Sequence, residues 1–253
     1  MLPEIHHEQL TEAIEQIVRE TLAFADVVGP PIDAFVVAQR LGLTILRDNS
    51  AASRARMVEV GPAATLSRDG SSQGVILLAD DPRPERRQWA VAHEIGEHLA
   101  VEVFEQLAAD PADALPAARE SLANRLATSL LLPLQWYRHD GSAHDWELLE
   151  LKKLYYTASH ELIARRMLDM SAAVMISVFD QGELTWRRGN RVGVPCELLR
   201  AEVEAQAMCH NRGKTIRVES SCLPDELESV RAWPVFEDSW RRVIIRTELN
   251  WLE

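Results

Sequence analysis

The sequence predicts an α+β protein, with helices and small sheets gathered in separate runs along the chain. Three observations carry this. Apolar residues recur every three to four positions near the start, at Ile5, Leu10, Ile14, Ile17, Val18 and Leu22. Short strand-like runs gather in two blocks, one before residue 80 and one after residue 172, punctuated by Gly, Pro and Asp. The clearest of them, V-I-L-L-A at 75–79, leads through a Pro-rich turn into a long apolar-faced helix.

Composition narrows the classes. The chain has 253 residues, enough for one large domain or two small ones. Its 47% hydrophobic and 26% charged residues are ordinary for a soluble globular protein. A net charge of -12 argues against non-specific nucleic-acid binding, which needs a local excess of Lys and Arg to neutralise phosphates. The opening residues M-L-P-E-I-H-H-E carry no signal pattern, and no apolar run approaches the ~18 residues of a membrane span. The odd cysteines, Cys196, Cys209 and Cys222, are widely spaced, as suits reduced thiols in a cytoplasm. Cys209 and His210 with Cys222 lack paired C-x-x-C spacing and make a poor metal set.

The elements follow in order. A first helix is expected over 4–25, ended by Gly29-Pro30-Pro31, and a second over 32–41 with Asp33 in its first turn and Gly42 closing it. Leu43 to Arg47 and Val75 to Ala79 read as strands, and 54–60 and 63–67 as strands of a small antiparallel sheet packed on helices. Asp80-Asp81-Pro82-Arg83-Pro84 opens a helix running to about Leu107. After a loop at 109–116, another helix runs from Ala117 to Pro133 with Leu122, Leu126 and Leu130 on one face. Trp136 to His144 is polar and turn-like. Residues 145–170 read as two helices broken at Thr157-Ala158-Ser159. Then come a strand at Ala173–Phe179, a turn at Asp180-Gln181-Gly182, a strand at Leu184–Arg188, a helix over 195–211, and strands at Ile216–Val218 and Arg242–Arg246. Trp186, Trp233, Trp240 and Trp251 are candidates for the core of this last region, and Met167, Met170 and Met175 are taken as core.

The chemistry concentrates in R-R-Q-W-A-V-A-H-E-I-G-E-H-L at 86–99. His93 and Glu97 are four apart and share a helix face. This is nearly H-E-x-x-H, in which two histidines hold zinc and the Glu after the first handles the attacking water. Here the second position is Glu97, and a carboxylate can also ligate zinc. The competing register pairs Glu94 with His98, which would make Glu97 the base of an inverted motif.

Several pieces in sequence order resemble the ImmA/IrrE metallo-endopeptidases: P-P-I-D-A-F-V-V-A-Q-R-L-G-L at 30–43, V-I-L-L-A with E-R-R-Q-W-A-V-A-H-E-I-G, and E-S-L-A-N-R-L-A-T-S-L-L-L-P at 120–133. The resemblance implies a zincin-like fold, one bound divalent metal and hydrolysis of a peptide bond in a protein substrate, typically a helix-turn-helix transcriptional repressor of mobile-element or stress-response genes. By motif position it makes His93 the first ligand, Glu94 the general base and Glu120 the ligand from a second helix. Glu97 falls where the family usually has His. Asn124, one turn after Glu120, is placed to orient that carboxylate. Zinc is the expected ion; two carboxylates beside one imidazole shift preference towards harder cations such as manganese and predict slow turnover.

Three domains are expected: a zincin-like metallopeptidase domain at 1–135 with its N-terminal helix, a helix-turn-helix-like pair at 136–170, and a C-terminal α+β module at 171–253. Two rival readings stand beside the peptidase. One is a non-catalytic regulatory protein on the same fold, its metal site weakened by Glu97. The other is DNA binding through 145–170, where Arg165 and Arg166 are offset by Glu161 and Asp169, short of a basic face.

Overall fold

In the computed structural model, which describes residues 7–48, 55–59, 74–192, 197–237 and 239–250, the chain is mixed α+β. It divides into two compact units. One is Met1–Asp145 with Lys153–Ser159; the other is Trp146–Lys152 with His160–Glu253. The segment 136–170 is shared between them.

The first unit begins with α1 (His7–Phe24) and α2 (Ala34–Arg40). Asp33 is the N-cap of α2, its carboxylate accepting from the Phe35 N–H at 2.9 Å. Three strands follow: β1 (Thr44–Arg47), β2 (Ala55–Glu59) and β3 (Gly74–Leu78). Their order is β1-β3-β2. The expected antiparallel sheet is in fact mixed: β2 runs antiparallel to β3, with Met57 opposite Ile76, but β1 runs parallel to it, with Thr44 opposite Val75. Alternation of side chains marks a strand without saying which edge it joins or in which direction. The strand expected at 63–67 lies outside the described residues.

Two long helices carry the rest of this unit, α3 (Pro84–Gln106) and α4 (Pro116–Leu131). Both start on a proline, whose missing N–H costs nothing in a first turn. Ile95, Leu99, Leu122, Leu126 and Leu130 are all buried along them. Buried Gln88 of α3 ties the entry of α2 to this pair. Its Oε1 accepts from the Ala34 N–H at 2.7 Å, and its Nε2 donates to Asp33 Oδ1 at 2.9 Å. Glu15 of α1 accepts from Ser129 Oγ at 2.7 Å and from the Leu134 N–H at 3.0 Å.

That second bond explains a correction. The turn expected at 136–144 is a helix, α5 (Leu134–Ala143), although its sequence carries Asp, Gly and Ser. Glu15 satisfies one of its free first-turn N–H groups, and Tyr137 and Gly141, one turn apart, are buried. Tyr137 packs edge-on against Tyr155, whose hydroxyl donates to Asp140 at 2.7 Å. These partners are distant in sequence, so local composition reads as a turn.

In the second unit, α7 (His160–Arg166) precedes a five-stranded antiparallel sheet. Between the units' segments α6 (Leu148–Leu154) is divided. The strands are β4 (Val174–Asp180), β5 (Glu183–Gly189), β6 (Ile216–Glu219), β7 (Leu227–Glu237) and β8 (Trp240–Leu249), ordered β5-β4-β8-β7-β6. Gln181 and Gly182 turn the β4–β5 hairpin with φ of 53° and 91°, the left-handed pair that matches strand twist. Helix α8 (Arg200–Arg212) packs on the sheet through Ala205 and Cys209, against Val230, Ala232 and Ile245.

Strand β7, the longest among the described residues, is not expected from the sequence. Pro234 lies within it, and proline argues against an interior strand. It is accommodated because β6 pairs with β7 only from Ser229 to Ala232, so beyond Ala232 that side of β7 faces no strand among the described residues. The tryptophans also divide differently from expectation. Trp233 is fully buried, but Trp240 is exposed and Trp186 only half-buried, stacked under the Arg165 guanidinium. Trp251 lies outside the described residues. Met167, Met170 and Met175 are core.

Candidate metal centre

Helix α3 delivers His93, Glu94, Glu97 and His98, and α4 delivers Glu120 and Asn124. Three of these converge. His93 Nε2 lies 3.6 Å from Glu97 Oε1 and 3.6 Å from Glu120 Oε2. One ligand atom from each residue falls within 4.8 Å of the others. Donors bonded to one tetrahedral cation at about 2.1 Å stand about 3.4 Å apart. The cluster is therefore close to chelating spacing as it stands.

Asn124 Nδ2 donates to Glu120 Oε1 at 3.1 Å across one turn of α4. This occupies one carboxylate oxygen and leaves Oε2 as the atom facing His93. His93 is half-buried, whereas Glu97 and Glu120 are exposed, so the cluster opens to solvent on its carboxylate side.

Glu94 is different in kind. It is buried, and among the described residues its Oε2 has no hydrogen-bond partner. Burial lifts its carboxyl from the usual 4.5 to about 7; the Glu97 charge adds to this, His93 and the Met57 backbone N–H oppose it, and Glu120 contributes a smaller push upward. A buried carboxylate oxygen of this kind, beside a metal-type donor set, is placed to accept a hydrogen bond or a proton from a group entering the cluster.

His98 points elsewhere. One residue past Glu97, it is rotated about 100° round the helix. Burial depresses its imidazole from 6.5 to about 4. Among the described residues, the cluster with ligand spacing is His93, Glu97 and Glu120, without Glu94 or His98. The alternative register, with Glu94 and His98 as ligands, is not gathered in this way.

Two contributors escape the sequence reading. The Met57 backbone N–H on β2 reaches Glu94, and nothing in the sequence pairs that strand with α3. Gly96 lies against α4; its only signal is a glycine inside a helical pattern.

Fold and site together define an α+β protein in which two packed helices present a His–Glu–Glu donor cluster beside a buried carboxylate. No protein-family model and no curated protein sequence matches the chain. Among solved structures, one named as a Mycobacterium tuberculosis transcriptional regulator is similar to it. The TM-score is 0.63 at 16% identity, over 96% of this chain and 76% of that one. At that identity the likeness concerns the fold. Among the described residues, no helix is long and apolar enough to cross a membrane.

Proposed function

We propose that the chain is a metal-dependent endopeptidase with a zincin-like first unit of the ImmA/IrrE type, acting on a protein substrate. The observation that carries this is the convergence of His93, Glu97 and Glu120 within ligand spacing, with Glu94 buried one residue from His93.

The three converging side chains would hold one divalent cation, zinc in the first instance and manganese as the harder alternative. Such an ion supplies Lewis acidity, polarising a peptide carbonyl and acidifying water. Glu94 Oε2 accepts a proton from the attacking water and returns it to the leaving amine. The Met57 N–H holds the same carboxylate, and Asn124 holds that of Glu120. With Glu97 in place of the family's second histidine, the donor set is more anionic and the expected turnover slow.

The substrate we assign is a helix-turn-helix transcriptional repressor, which makes the protein a cytoplasmic regulator of transcription by proteolysis. The similar structure named as a transcriptional regulator is in keeping with that role. A second reading is kept open by Glu97 alone: a regulatory protein that binds such a partner without cutting it. Neither reading requires contact with DNA.

Incubating the metal-loaded protein with a candidate repressor separates them. The peptidase reading expects discrete fragments, with the rate falling about 10²–10⁴-fold in Glu94→Gln while metal content is kept. A stable complex without fragments, identical for wild type and Glu94→Gln, supports the binding protein instead.

A further inference from the structure

Gly96 occupies the one place on α3 where the backbone of α4 leaves no room for a side chain. A Cβ built there would stand 2.6 Å from the Ala123 carbonyl oxygen, 3.2 Å from Leu126 Cβ and 3.3 Å from the Ala127 backbone nitrogen. Two of these three are main-chain atoms of a helix, so no rotamer change relieves the clash. Helix α4 itself would have to move. Alanine is the better helix former, so local preference does not explain glycine at a mid-helix position.

The contact sits beside the donor cluster on both helices. Gly96 is three residues after His93 and adjacent to Glu97, and Ala123 is three residues after Glu120. Three residues are about one helical turn. A displacement at the contact is therefore passed to the His93–Glu120 separation of 3.6 Å. It leaves His93 and Glu97 unaffected, because both belong to α3. Relieving a 2.6 Å contact to an ordinary carbon–oxygen distance takes about 0.5–1 Å. In an occupied site metal–ligand bond lengths stay within about 0.2 Å of their ordinary values, so the Glu120 side chain would have to make up the displacement.

We propose that Gly96 is a positioning residue that holds Glu120 within reach of His93, and so sets the affinity of the cluster for a divalent cation. This rests on the metallopeptidase reading of the site for its second half only.

The test uses full-length wild type, Gly96→Ala, Glu120→Gln and the double variant. Crystal structures of the metal-free proteins give the spacing, and zinc affinity comes from chelator competition. The expected result is a His93–Glu120 separation widened in Gly96→Ala with His93–Glu97 unchanged. Zinc affinity should fall about 10–100-fold, as when supporting groups of metal sites are lost. Gly96→Ala should then cost nothing further in the Glu120→Gln background. An unchanged separation, or a loss that adds in full to that of Glu120→Gln, would overturn the proposal.

If wild type takes up no zinc while Gly96→Ala still widens the pair, the positioning role is upheld and the metal reading is the part that fails. Should Gly96→Ala not fold, Glu120→Asp decides. It withdraws the exposed carboxylate by one methylene without touching the helix contact. A comparable loss of affinity supports spacing control, and wild-type affinity overturns it.

Discussion

Asn124 donates to one oxygen of Glu120 at 3.1 Å, and the other oxygen of Glu120 stands 3.6 Å from His93 Nε2. One amide thus decides which face of an exposed carboxylate is turned to the cluster. Removing it frees the Glu120 side chain to rotate. Asn124→Ala is expected to weaken metal binding about 10-fold with the cooperative unfolding of the metal-free protein nearly unchanged. Chelator competition beside a urea titration checks both halves.

Glu94 and His98 make the metal-free protein respond to pH in opposite senses. The Glu94 carboxyl is raised from 4.5 to about 7 by burial first and the Glu97 charge second. The folded state therefore favours its protonated form. This contribution is fully present below about pH 4.5 and is lost as pH rises through about 7. The His98 imidazole is lowered from 6.5 to about 4 by burial. Its contribution is present above about pH 6.5 and lost as pH falls through about 4. Glu94→Gln should accordingly stabilise the chelated protein at pH 8, on the order of 1 kcal/mol, and leave it little changed at pH 4. Thermal unfolding in chelator across this range tests it; a destabilised Glu94→Gln at pH 8 contradicts it.

In the second unit, Glu202 of α8 is fully buried and answers to three elements. It accepts from Arg187 Nη1 on β5 at 2.9 Å, from Thr247 Oγ1 on β8 at 2.6 Å, and from the Leu199 N–H at the start of its own helix at 2.8 Å. Truncating it strands the Arg187 charge in the interior. Glu202→Ala is expected to cost about 3–5 kcal/mol, and Glu202→Gln less, since the amide oxygen still accepts. Hydrogen exchange at the amides of β4, β5 and β8 should accelerate in that order of severity. Unchanged protection in Glu202→Ala would show that the network adds little.

What was legible in the chain was what is local. The period of α3 and α4 and the shared face of His93 and Glu97 follow from spacing on a helix, and Val75 to Leu78 is apolar enough to stand out as a strand. Glu120 lies on another helix, and only a resemblance linked it to His93. The helix α5 was hidden because the acceptor for its Leu134 N–H is Glu15, more than a hundred residues away. Strand β7 was hidden because its proline is tolerated only where β6 stops pairing. The parallel pairing of β1 and the fit of Gly96 against Ala123 depend on partners that no window of sequence contains.

Whether His93, Glu97 and Glu120 hold an ion is read from metal content by elemental analysis, on protein purified without added metal and then offered zinc or manganese. The comparison is wild type with His93→Ala, Glu97→Ala, Glu120→Ala and His98→Ala. The expected result is about one ion per chain, lost with each of the first three substitutions and kept with His98→Ala. Loss with His98→Ala and retention with Glu97→Ala would move the site to the other register. No ion in wild type under any of these conditions would contradict the metallopeptidase outright.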